Sequence, residues 1–140
     1  MNLHEADFHA WAWEQAEKLR RGEPIDRENI AEELEDLGRR EQQQLENRLM
    51  VLIAHWLKWE FQPDQRCSSW AGTIREQQMR IEKLLGEMPS LKARMEEYIV
   101  KAYPLAVFLA STETKILEED FPDECPYDQD QILRRAAKLP

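Results

Sequence analysis

A chain of 140 residues, 42% hydrophobic and 34% charged, is long enough to build a core without covalent staples and too apolar to be disordered. Its formal net charge of −9 repels a phosphate backbone and argues against general nucleic-acid binding, and no run reaches the roughly 18 apolar residues of a membrane span. Only 4 Gly and 7 Pro punctuate it, which favours a few long helices over many short strands.

The opening run MNLHEADFHA carries acids and no apolar stretch, so it does not read as a secretory leader. Asp7 is placed to cap a first helix that ends near Gly22, with Arg20 and Arg21 at the end where cations suit the helix dipole. Phe8, Ala12, Ala16 and Leu19 share one face of it, flanked by Trp11 and Trp13. Gly22 and Pro24 stop it.

The spacing predicts a second helix from about Arg27 to Phe61, with Asp26 as its cap and Pro63 ending it. At about 100° per residue, Ile30, Leu34, Leu37, Leu45, Leu49, Leu52 and Trp56 fall within one stripe roughly 120° wide. The phase survives Gly38, which argues for one continuous helix. Gly38 lies near the stripe edge and is expected to mark a close contact with a neighbouring helix.

A third helix is expected from Ser68 or Ser69 to about Glu87, burying Trp70, Ile74, Ile81, Leu84, Leu85 and Met88. Pro89 separates it from a fourth, capped by Ser90, on which Leu91, Met95, Ile99, Ala102, Ala106 and Leu109 recur at helical spacing. Pro104 lies inside this run and predicts a kink or a split. The stretch Phe121–Tyr127, FPDECPY, holds two prolines and should be extended, packed by Phe121 and Tyr127. Asp128 and Gln131 resemble a capping box opening a short last helix through about Lys138. The expected architecture is all-α: a compact single-domain bundle of about five helices, with one long central helix and an extended Pro-containing segment before the last short one.

Polar residues interrupt the apolar stripe of the long helix. Glu41, Arg48 and His55 are spaced by seven, so their directions differ by only about 20° per step, and all three point into the stripe. Buried polar groups need partners. Gln77, on the buried side of the third helix, is one candidate partner. One reading of this seam is a pocket with His55 as acid, base or ligand and Glu41 beside it. The plainer reading, taken as the default, is a set of satisfied hydrogen bonds that fix helix register.

Other constellations are weaker. His4, His9 and His55 are the only histidines; His4 and His9 could share a metal only if His4 precedes the helix, so no metal site is assigned and no cofactor is implied. The acids Glu32, Glu33, Glu35 and Asp36 would need a facing acidic pair to hold Mg²⁺, for which Glu118, Glu119 and Asp120 are the only obvious choice, and they read as a solvated face. Trp56, Trp59 and Trp70 read as core, with Trp–Arg stacking as an added contact, whereas Trp11 or Trp13, if exposed, would mark a partner surface. Cys67 and Cys125 fit neither a metal spacing nor a disulfide framework and are expected to be reduced thiols in a cytoplasmic protein. Cys67, at a helix start where a thiol pKa could be lowered, is a minor candidate for a reactive thiol.

The runs FHAWAWEQAEKLRRG, IAEELEDLGRRE, HWLKWEFQP, SWAGTIREQ and FPDECPY, in this order, resemble the bacterial family called domain of unknown function 29, most abundant in cyanobacteria and also found in proteobacteria. The resemblance spans about Asp7 to Leu133. It implies an all-helical fold and no assigned activity, catalytic residue or ligand. Pro104, and the stretch Lys115–Glu118 in place of a Gly-Leu-Pro-like turn, depart from the family pattern. The function expected is a non-enzymatic helical module that binds a protein partner or itself. The alternative is a small enzyme or ligand-binding domain, or a metal-binding bundle, using Glu41, Arg48 and His55.

Overall fold

The computed structural model describes residues 2–140, which form six α-helices: α1 Leu3–Ala6, α2 Phe8–Arg21, α3 Arg27–Phe61, α4 Ser68–Glu87, α5 Met95–Thr114 and α6 Gln129–Arg134. No strand occurs among the described residues. Contacts divide the chain into two compact units, the first ending at Glu41 and the second running Gln42–Pro140, and α3 passes through both.

In the first unit the caps lie where short polar side chains stand ahead of apolar ones. Asn2 accepts from the Glu5 N–H and so starts α1, a turn that sequence periodicity is too short to reveal. Asp7 accepts from the Ala10 N–H and starts α2. Gly22, at φ 73°, closes α2 in the left-handed conformation that glycine adopts without strain. Trp11 is the one buried hydrophobic side chain among the described residues of this unit, and Gln15 is its only other buried side chain.

The second unit holds the core. Leu45, Leu49, Leu52, Ile53 and Trp56 of α3 are buried with Ile74 and Ile81 of α4, Met95, Tyr98, Ala102 and Ala106 of α5, and Ile132 of α6. Truncating one such leucine to alanine costs roughly 2–5 kcal/mol. Two of the expected stackings are present, with the Arg135 guanidinium 4.7 Å from the Trp56 ring and that of Arg66 4.9 Å from Trp59. The FPDECPY segment is non-helical and is fastened by aromatic hydroxyls and rings. Tyr103 Oη donates to the Pro122 carbonyl at 2.6 Å, Tyr127 Oη donates to the Trp56 carbonyl at 3.1 Å, and Phe121 meets Phe61 edge-on. The Asp128–Gln131 capping box opens α6.

Four expectations need correcting. Gly38 makes no close helix contact, because a Cβ added there would meet nothing within 4 Å. Of the kink or split expected at Pro104, the split does not occur: α5 runs through it as one helix. Both Pro104 and Val100, whose carbonyl loses its partner, are exposed residues of α5. Ser90 does not cap a helix; it lies inside a 3₁₀ segment, Pro89–Arg94, that leads into α5. Helix α6 ends at Arg134, short of Lys138, as Arg135 turns to extended backbone.

Candidate functional site

The three seam residues share half-burial but not a contact. Arg48 Nη1 donates to Gln77 Oε1 across to α4 at 3.4 Å, near the outer limit of a hydrogen bond. His55 lies 2.8 Å, through Nδ1, from the Val51 carbonyl one turn back. A carbonyl only accepts, so the proton sits on Nδ1 and Nε2 is the basic nitrogen. Burial holds the His55 pKa below its ordinary 6.5; Lys58 pushes it further down, while the Val51 bond and Glu113 oppose. The neutral ring is therefore the resident form at neutral pH. Among the described residues none of Glu41, Arg48 and His55 hydrogen-bonds another, and Glu41 has no ion pair. The arrangement fixes side chains on a helix, and no acid–base pair is assembled in it.

The other constellations come apart too. His4 Nε2 lies 2.8 Å from Glu33 Oε1, and His9 Nε2 accepts from the Trp13 indole at 3.1 Å. Glu35 and Asp36 pair with Arg39. No group of three or more His, Cys, Asp or Glu side chains is gathered for a metal among the described residues. Both cysteines are free thiols, half-buried; burial pushes the Cys125 thiol pKa up.

The distinctive surface lies in the first unit. Asp26, just ahead of α3, ties the two helices together. Its carboxylate accepts from the Trp11 indole at 3.0 Å and the Asn29 amide at 2.7 Å, and its own N–H donates to Gln15 Oε1 at 2.7 Å. The Asn29 and Trp11 bonds lower its pKa. The His4 ring stands edge-on against Trp11, centroids 4.5 Å apart. These contacts leave an open groove of about 240 Å³ between the helices. Phe8, Ala12, Ala16 and Leu19 of α2 and Ile30 and Leu34 of α3 line it, with Trp11 beneath and Gln15 and Glu33 as its polar members.

Part of this face belongs to the α3 stripe that the sequence pattern reads as buried. The stripe along α3 is fully buried at Leu45, Leu49 and Leu52, yet Leu34 is 63% and Leu37 is 53% exposed. On α2, Phe8 and Leu19 are 50% and 62% exposed, and the buried side is instead Trp11 and Gln15. Of the two tryptophans of α2, Trp13 is 60% exposed and Trp11 is buried.

One family's sequence profile matches residues 3–136. The chain belongs to the family described as Domain of unknown function DUF29. In this DUF29 chain the match runs from α1 to α6, so the groove-bearing unit is part of the family's fold and not an appendage to it. Among curated proteins and among solved structures, nothing matches the chain. No helix of the described residues is long and apolar enough to cross a membrane.

Proposed function

We propose that this chain is a protein-interaction module and that its first unit docks a helix of a partner protein along the groove between α2 and α3. The observation that carries the reading is the uncovered stripe: Leu34 and Leu37 keep the phase of the buried Leu45, Leu49 and Leu52 but face solvent, Leu34 in the groove that Phe8 and Leu19 also line. Exposed apolar side chains at 3–4 spacing around a concave strip are what an amphipathic helix recognises, reading them with its own i, i+3, i+4 and i+7 anchors. The strip from Phe8 to Leu19 is about 17 Å long at 1.5 Å per residue, close to three helical turns. Ala12 and Ala16 keep its middle shallow enough for a backbone to approach.

The test places the photoreactive residue benzoylphenylalanine at Leu19 or Leu34, with Phe108 of α5, also exposed at 58%, as the comparison position. The reading expects one shared adduct from the two groove positions, none of it from position 108, and crosslinked partner residues recurring at helical spacing. Equal capture at all three positions, or no common adduct in the groove, overturns it.

A further inference from the structure

We infer that the helix this groove takes is cationic, with lysine or arginine flanking its apolar face; this rests on the docking reading above. The first 41 residues hold 12 acidic and 6 basic side chains, a net −6, while the remaining 99 hold 16 and 13, a net −3. Two-thirds of the excess charge thus sits on less than a third of the chain, in the unit with the uncovered apolar strip. Local pairing does not remove it. Within this unit Lys18, Arg21 and Arg39 pair with acids, and Glu33 is engaged by His4. On α3, Glu28, Glu32 and Glu41 have no ion pair among the described residues, and the cations in the same position across the unit are Arg20, Arg27 and Arg40. Glu5 and Asp7 add two further acids without an ion pair.

Glu41 lies four residues past Leu37, in the same stripe, and is half-buried without a counter-charge. An apolar strip that ends in an unpaired carboxylate fits a helix whose apolar face ends in a lysine or arginine. An acidic helix would meet the net negative charge of this unit and, at the end of the stripe, the Glu41 carboxylate. A second copy of this chain would bring −6 against −6, so the same field disfavours self-docking here.

The test uses the whole chain and two 18-residue fluorescent peptides with leucines at i, i+3, i+4 and i+7, one with lysine and one with glutamate at the other positions. Fluorescence anisotropy is read at low and high salt. The lysine peptide is expected to bind at least about tenfold more tightly than the glutamate peptide and to weaken as salt shortens the reach of charge. Leu19→Ser with Leu34→Ser, both exposed, should cost about tenfold or more, with helicity by circular dichroism unchanged. Glu28→Gln, Glu32→Gln and Glu41→Gln together should flatten the salt dependence.

Equal or tighter binding of the glutamate peptide overturns the charge inference and leaves the docking reading standing. Lysine-peptide binding that ignores the Leu19 and Leu34 changes is bulk attraction to an acidic surface and overturns both. Failure of both peptides to bind also overturns both. Self-association in sedimentation that disappears with Leu34→Ser makes a second copy the occupant and overturns the cationic helix.

Discussion

Lys58, with its side chain only 6% exposed on α3, pairs with Glu113 of α5 and holds its ammonium 5.0 Å from the centre of the Trp70 ring of α4. One cation thereby ties three helices of the second unit. Burying it is tolerable only because a carboxylate and an aromatic face replace its water.

Removing the carboxylate should therefore cost more than an exposed ion pair is worth. Glu113→Ala leaves the buried ammonium without its counter-charge, and a loss of about 1–3 kcal/mol is expected in urea unfolding. Lys58→Met removes the need for that partner. The double variant should be markedly less destabilised than the two single losses added together. Additive losses would mean that the pair is not coupled.

His55 sets a pH dependence of definite sign. Its folded pKa lies below 6.5, mainly through burial, with Lys58 adding to the shift and the Val51 carbonyl and Glu113 opposing it. As pH falls through 6.5 the unfolded chain takes up the proton first, so acid favours unfolding. The full contribution is present above about pH 7 and is lost progressively as pH falls below 6.5 toward the folded pKa, with a slope of at most about 1.4 kcal/mol per pH unit. His55→Gln should flatten this part of the curve in urea titrations between pH 7.5 and 5.5. Asp26 shifts in the carboxylate range, below this window, so it does not confuse the measurement. Stability that rises on acidification in a His55-dependent way would mean that the ring is protonated on folding.

The bounds of the long helices were legible because their signals are local. Asp7, Gly22, Asp26, Pro63 and the Asp128–Gln131 box each act on backbone groups within a few residues, and the structure places helix ends at or beside all of them. The path of α5 through Pro104 was not legible, since a proline's cost depends on whether the orphaned carbonyl meets water, and that is a property of the face. The same holds for the groove. Periodicity tells which side chains of α3 lie in one stripe, but cover is supplied by other segments, so Leu34 and Leu49 read alike while one is exposed and the other sealed. Of the seam, Arg48 reaches the expected Gln77, but no spacing rule could say whether Glu41 and His55 would share a partner.

Two backbone positions offer stabilising changes. Lys115 closes α5 at φ 66°, a left-handed conformation that costs a side-chain-bearing residue roughly 1 kcal/mol and glycine almost nothing. Lys115→Gly should raise stability by up to about that amount. Gly38 is helical, exposed and unobstructed, so Gly38→Ala should add about 0.5–1 kcal/mol. Thermal melts of each variant check both. A drop with Gly38→Ala would show that the position needs backbone freedom.

Gln78 is the side chain that holds the C-terminal helix in place. It is 3% exposed, and its amide nitrogen donates to the carbonyls of Ile132 at 3.1 Å and Arg135 at 2.9 Å. The Trp56 indole also donates to the Ile132 carbonyl, so Gln78→Leu strands the Arg135 carbonyl above all. A helix of six residues has no stability of its own and depends on such contacts and on burying Ile132. Gln78→Leu should cost about 1–3 kcal/mol and speed tryptic cleavage after Arg134 and Arg135. Asp128→Ala, which removes the capping box at the other end of the helix, should cost about 1 kcal/mol and speed the same cuts less. If the cleavage rate in Gln78→Leu matches that of the unaltered chain, the helix is held by Ile132 and its cap, and the two carbonyl bonds contribute little to its docking.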